Sequence, residues 1–277
     1  MTAASADPRP ADEPLFLTTE GTSPLVISMP HSGTYLPAAI AARIEPAARD
    51  LPDTDWFVPQ LYEFHAALGA SVIRATHSRY LVDLNRPPDG ARLYPGKRET
   101  AVCPTETFDG GALYAPGDEP TAAQVEERLQ RYWRPFHARL RQLIDLQIAR
   151  HGHCLLWDAH SIRSTVPALF DGRLPDLNVG TADGGSCAVN TARHIALHLG
   201  AQERFSYVLD GRFKGGYITR HYGAPAHGVE AVQLEIAQAA YLREARRPQF
   251  DAARAAPLVQ LLHALLGSLR DRAVRGA

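Results

Sequence analysis

Cysteine is scarce in this 277-residue chain. Cys103, Cys154 and Cys187 are the whole supply, odd in number and without a CxxC pair. That usage excludes a disulfide framework and a cysteine zinc site, and it fits a reducing cytoplasm. Excess charge is also missing: Lys and Arg total 29 against 30 Asp and Glu, a net charge of −1. No basic surplus exists to attract a nucleic-acid backbone. No apolar run approaches the roughly 18 residues of a membrane span. The opening stretch MTAASADPRPADEP lacks the basic and apolar regions of a signal peptide. No repeat recurs at a fixed period. The glycine-containing run Lys214–Arg220 lacks the GxxxxGK[ST] spacing of a phosphate loop, which excludes that mode of nucleotide binding. Neither a nucleic acid nor a membrane is expected as a partner.

What remains is an ordinary globular composition, 45% hydrophobic and 21% charged. A chain of this length buries enough surface to fold without covalent staples. Residues 1–14 read as a disordered tail, and residues 15–277 as a single domain.

Leu25–Met29 is an apolar run, interrupted only by Ser28, and reads as a buried strand. Residues 37–49 read as a short helix broken at Pro46, and residues 55–68 as a helix stopped by Gly69. Ala70–Ala75 and Tyr80–Leu84 read as further strands. Residues 87–120, rich in Pro, Gly and Thr, form a long excursion of the kind that carries function. From Pro120 to Arg150 an apolar stripe of Val125, Leu129, Trp133, Phe136, Leu140 and Leu143 predicts the longest helix, capped by Thr121 and divided or kinked at Pro135. Cys154–Trp157 reads as a strand running into Asp158 and His160. Residues 190–199 read as a helix, 205–209 and 229–236 as strands, 211–221 as a loop, and 251–274 as the last helix. Strands alternating with helices predict an α/β class: a three-layer αβα domain with a mixed, twisted sheet and helices on both faces.

In such sheets ligands bind beyond the carboxyl ends of the strands. His31 follows the first apolar strand, and His160 follows another, each with serine directly after it. Two imidazoles, one carboxylate and an open position make a hydrolytic zinc site. The plainer reading of each histidine is a strand cap. Asp55 is the carboxylate best placed as third ligand, although Asp53-Thr54-Asp55 also reads as a helix N-cap. Asp158 suits a partner that orients a histidine through its other nitrogen.

Asn85-Arg86 precedes two prolines that stiffen the chain, and a planar guanidinium grips a carboxylate with paired hydrogen bonds. Arg79, Arg163 and Arg220 add cations near the same edge, and Tyr217 sits with Arg220 in a glycine-punctuated loop. Together they point to an anionic substrate bearing carboxylates. Glu235 lies in an apolar strand, where a lone carboxylate is costly. It is either a general base or an outward-facing residue on an edge strand.

The order His31, Asp55, Asn85-Arg86, His160, Glu235 resembles the zinc carboxypeptidase-like superfamily. More narrowly, "PLVISMPHSGTYLP", "DTDWFVPQLYEF", "SRYLVDLNRPPDG", "LWDAHSIRSTVP", "LPDLNVGTADGGSC" and "GGYITRHYGAPAHGVEAVQLEI" resemble the N-formylglutamate amidohydrolase family. These stretches cover the chain from about residue 24 to 242. The resemblance implies hydrolysis of N-formyl-L-glutamate, a small acidic N-acyl amino acid, to formate and L-glutamate in histidine degradation. It implies Zn2+ or another divalent metal on His31, Asp55 and His160, Glu235 as base, and Asn85 and Arg86 on a substrate carboxylate. One departure stands out: Thr34 occupies the place, three residues after the first histidine, where the superfamily has glutamate. Two other readings are a related deacylase or carboxypeptidase with a different acyl group or peptide, and a binding protein that has lost turnover.

Overall fold

The computed structural model describes residues 13–94 and 96–274. The chain forms β1 (Phe16–Thr19), β2 (Leu25–Met29), α1 (Ala38–Ala41), α2 (Val58–Leu61), β3 (Ser71–Ala75), α3 (Ala122–Arg128) and α4 (Arg134–His151). It continues through β4 (Cys154–Ile162), β5 (Leu177–Gly180), α5 (Val189–Gly200), β6 (Tyr207–Leu209), α6 (Tyr217–Tyr222), β7 (Val229–Ala237), β8 (Leu242–Arg243), β9 (Gln249–Phe250) and α7 (Ala252–Val274). Most of the tail expected over 1–14 lies outside the described residues. The Pro14 carbonyl already accepts a hydrogen bond from the Thr76 hydroxyl (2.5 Å).

Seven strands make one mixed sheet in the order β1-β3-β2-β4-β7-β5-β6. The central four, β3, β2, β4 and β7, run parallel, while β1 pairs antiparallel with β3, and β5 antiparallel with β7. Parallel strands need helical crossovers, and those helices cover both faces. Leu25, Ile27, Met29, Leu155 and Trp157 point to one face, under Val58 and Leu61 of α2, Ile195 of α5 and Leu258, Leu262, Leu265 and Leu269 of α7. Val26, Leu156 and Ala231 point to the other, under Phe136, Leu140 and Ile144 of α4 and Ile218 of α6. All five residues of β2 are buried, Ser28 among them, as a central strand covered on both faces requires.

Several expectations change. Tyr80–Leu84 is not a strand. Leu81, Val82 and Leu84 pack into the core, but the backbone turns: Leu81 N bonds Ser78 O, and Arg86 N bonds Asp83 O. The segment's apolar alternation served packing without a neighbouring strand to pair with. The helix expected over 55–68 is shorter, reduced to α2 and a 3₁₀ turn at Glu63–Ala66. The long helix breaks before its proline: a π-helical turn at Leu129–Trp133 separates α3 from α4, and Pro135 opens α4, where a missing N–H costs nothing. Thr121 caps α3 in a reciprocal pair with Gln124. β4 runs on past Trp157 to Ile162, and α6 lies inside the expected loop 211–221. β1 and β5 went unread in the sequence.

α7 also revises an expectation: by length and mean hydropathy, 1.2, it could cross a membrane. Its buried leucines instead line the core beneath the sheet.

Candidate active site

The period-two alternation of strands builds the floor of a cleft. In β4, Trp157 and Ala159 face the apolar core, so Asp158 and His160 face the other way. In the register of β4 with β7, Asp158 lies beside Gln233 and His160 beside Glu235. His31 arrives just beyond the carboxyl end of β2, its ring 4.9 Å from that of His160.

Asp55 comes from a loop that is clamped from several sides. Its N–H donates to His31 O (3.0 Å), the Thr54 carbonyl accepts from Gln238 (2.9 Å), and the Trp56 carbonyl accepts from the Tyr241 hydroxyl (2.5 Å). Leu51 and Phe57, which flank the loop, hold left-handed backbone with φ of 52° and 60°. Neither is a glycine, so the surrounding packing sustains a conformation that each would otherwise avoid.

His31, Asp55 and His160 converge so that one ligand atom from each lies within 4.8 Å of the others, a group that could hold a metal ion. Asp55 Oδ2 is 3.8 Å from His31 Nδ1 and 2.9 Å from His160 Nδ1. The opposite nitrogens are both anchored to buried carboxylates. His31 Nε2–H donates to Asp83 Oδ1 (2.7 Å), and His160 Nε2–H donates to Asp158 Oδ2 (2.9 Å). A carboxylate only accepts, so each Nε2 carries a proton and each Nδ1 is turned toward Asp55; His160, which faces carboxylates on both sides, donates from Nδ1 as well.

The electrostatics follow from burial and from these partners. Burial pushes His31 below the usual histidine range, helped by the Arg79 charge and opposed by Asp83 and Asp55. Burial acts the same way on His160, but Asp158 and Asp55 overcome it and hold this histidine well above the ordinary value. Asp83 is held well below the carboxylate range: burial opposes this, and the Arg79 and His31 charges outweigh it. Glu235 is pushed up to about 8, first by burial, against the His160 charge and with that of Asp55. No ion pair or hydrogen bond engages its carboxyl group among the described residues.

Asp53 and Asp55, adjacent candidates in the sequence, have different surroundings. Asp53 Oδ2 accepts from the Tyr80 hydroxyl and from Phe108 N–H, both at 2.8 Å, which ties the excursion to the core. Asp55 alone of the two joins the histidines.

The cleft above this floor is lined by His31, Arg79, Asn85, Arg86, His160 and Glu235, among others. Asn85 is fully engaged: its amide N–H donates to Asp158 Oδ2 (3.1 Å) and its Oδ1 accepts from Ile218 N–H (2.7 Å). Arg79 is buried and bound to Asp83 at 2.6 Å. Arg86 faces the cleft with Nε bonded to Thr100 O, and forms no ion pair among the described residues. Arg163, Tyr217 and Arg220 do not line the cleft. Arg163 pairs with Asp109 at 2.8 Å, Tyr217 stacks on His221, and the Arg220 Nε–H bonds Gly215 O. These three side chains turn away from the cleft that the expectation assigned them to. Sequence reasoning missed Asp83, hidden in an apolar segment, and also Tyr94 and Arg212 on the cleft wall. An aspartate inside an apolar run was the available signal for Asp83.

The sequence model of the family described as N-formylglutamate amidohydrolase matches residues 23–242. The N-formylglutamate deformylase of Pseudomonas putida is 47% identical over 251 residues, 89% of this chain and 94% of that protein. The Pseudomonas aeruginosa protein of the same name is 48% identical over 256 residues, 91% of this chain and 96% of the relative. A solved N-formylglutamate amidohydrolase from Ralstonia eutropha JMP134 superposes with a TM-score of 0.80 at 24% identity, covering 95% of this chain and 99% of that one. That likeness bears on the fold, and it matches the mixed sheet with helices on both faces. Because the matched segment contains every element that delivers a side chain to the cleft floor, from His31 to Glu235, the chain belongs to the N-formylglutamate amidohydrolase family.

Proposed function

We propose that this protein hydrolyses N-formyl-L-glutamate to formate and L-glutamate, with a divalent metal, zinc in the first instance, on His31, Asp55 and His160. The observation that carries the reading is the convergence of these three ligand atoms beside Glu235, in a chain of this family. The donor set fits the ion: two imidazole nitrogens and one carboxylate oxygen, each imidazole backed by a carboxylate, is the chemistry of a catalytic zinc site. A divalent ion held there would supply an acidified water and polarise the formyl carbonyl.

The chain's own residues do the rest. Glu235 lies beside His160 on the neighbouring strand, where its carboxylate can exchange a proton with water and substrate. It takes one from the attacking water as the oxygen–carbon bond forms. It returns that proton to the amide nitrogen as the carbon–nitrogen bond breaks, giving formate and the free amine of glutamate. Arg86 meets a substrate carboxylate at the cleft wall. Arg79 is already committed to Asp83, so its part is to keep that carboxylate, behind His31, ionised. Asn85 positions: it ties Asp158 to the first residues of α6. The same reading places the enzyme in the cytoplasm, consistent with three free, buried cysteines.

Metal analysis paired with a formate-release assay tests the proposal. Glu235→Gln should keep its metal and lose turnover, whereas His160→Ala should lose the metal. Full activity in Glu235→Gln would remove the base from the mechanism. Parallel assays on acetyl- and succinyl-glutamate and on short peptides decide against a broader deacylase or carboxypeptidase if formate release dominates.

A further inference from the structure

The geometry points to Arg212 as the residue that receives the side-chain carboxylate of the substrate and so selects acidic N-formyl amino acids over neutral ones. This rests on the reading of the cleft as an N-formylglutamate site. Four arginines line the cleft: Arg79, Arg86, Arg98 and Arg212. Two of them are bound to acids of the protein, Arg79 to Asp83 and Arg98 to Glu106, each at 2.6 Å. Arg86 and Arg212 form no such pair among the described residues. Two uncommitted guanidinium groups on one cleft match a ligand with two carboxylates.

Arg212 is held in place rather than free to sweep. Its Nε–H donates to Leu169 O (2.9 Å), and its guanidinium lies 5.0 Å from the Phe213 ring centroid and 5.7 Å from that of Tyr94. The Tyr94 hydroxyl accepts from Lys214 N–H and donates to Gly215 O, pinning the loop that carries Arg212. The terminal nitrogens, the pair suited to a bidentate carboxylate, have no partner among the described residues. Burial disfavours the Arg212 charge, and the Arg86 charge acts in the same direction, against Tyr94, Glu99 and Glu235; an incoming carboxylate offsets the repulsion between the two guanidinium groups.

The division of labour follows from the substrate. Its α-carboxylate adjoins the scissile amide, and its side-chain carboxylate lies two methylenes further out. Arg86 directly follows Asn85, whose amide touches the cleft floor at Asp158. Arg212 approaches instead from the wall formed by Tyr94, Leu169 and Phe213.

The test is kcat/KM for N-formylglutamate and N-formylglutamine in wild type, Arg212→Gln, Arg212→Lys and Arg86→Gln. Arg212→Gln should cut kcat/KM for N-formylglutamate about 100-fold and bring the ratio between the two substrates toward one. Arg212→Lys, which keeps the charge without the planar fork, should recover part of the ratio, and it supplies the measurement should the glutamine variant fail to fold. Arg86→Gln should lower both substrates together, because both carry the α-carboxylate. An unchanged ratio in the Arg212 variants, or equal losses on both substrates, overturns the assignment. Wild-type protein that releases formate from neither substrate overturns the reading of the cleft itself.

Discussion

His31 and His160 each present Nδ1 to Asp55 and anchor Nε2 on an aspartate that is itself buried. Anchoring of this kind fixes the tautomer and makes the free nitrogen a better donor to a metal, and its loss typically costs about 10- to 100-fold in affinity. Asp83→Asn should therefore weaken zinc binding by about that factor with His31 intact, as read by competition against a chromogenic chelator. Unchanged affinity would show that Asp83 serves only Arg79. The two histidines could be picked out beforehand because an imidazole directly after an apolar strand is unusual. Asp83 showed only as an acid inside an apolar run, since its role depends on a turn that brings residues 52 positions apart together. Nor could the sequence separate Asp53 from Asp55: both sit in one loop, and the choice depends on which of them Tyr80 and Phe108 occupy.

Elements carry these residues to the cleft, and their junctions are tight. A Cβ on Gly216, at the start of α6, would lie 2.4 Å from Asn85 Nδ2. Gly216→Ala should push Asn85 away from Asp158 and lower kcat/KM by up to about 100-fold, the penalty of a small misplacement at the chemistry. A thermal melt should move little by comparison, and retained activity would dismiss Asn85 as a positioning group. On the same side of the sheet, α4 carries His137, stacked 3.8 Å from Trp133 and bonded through Nε2 to Leu84 O (2.8 Å). Burial pushes His137 down to about 3, against the help of that carbonyl. The folded protein thus refuses a proton that the unfolded chain accepts below about pH 6.5. The stability tied to this neutral ring is complete above that pH and is lost as the pH falls toward 3. Urea unfolding at about pH 7.5 and 5.5 should show wild type losing about 1 kcal/mol more than His137→Gln over that interval. Equal losses would mean that the ring protonates in place. α3 and α4 were legible from their apolar stripe. The π turn between them was not, because a single wide turn leaves the hydrophobic period almost intact.

Across the whole molecule, the α/β class was legible because β2, β4 and β7 are long, apolar or alternating, and separated by helical stretches. The edge strands β1 and β6 are only 4 and 3 residues long and partly exposed, too short to show a period. The assembled sheet has an electrostatic consequence that no single element shows. It gathers four buried carboxylates, Asp53, Asp55 and Asp83 around Arg79 and Asp158 behind His160, at 4%, 2%, 0% and 0% exposure. Buried carboxylates in such excess repel one another in a medium that screens poorly, and a divalent cation bound by His31, Asp55 and His160 offsets that cost. Those three ligands join β2, β4 and the loop before α2, so the ion ties together segments distant in sequence. Anything that binds the folded chain alone stabilises it by mass action, about 2.7 kcal/mol at a hundred times the dissociation constant. In a domain of this size that corresponds to a rise in Tm of several degrees, at about 2–4 °C per kcal/mol. Protein stripped with a chelator and dialysed should therefore melt lower than the same protein resupplied with zinc, and the gap should widen with the logarithm of free zinc. His160→Ala should melt at one temperature whatever the zinc concentration. If wild type also melts independently of zinc, the three side chains do not hold zinc in the folded chain, and the choice of zinc falls.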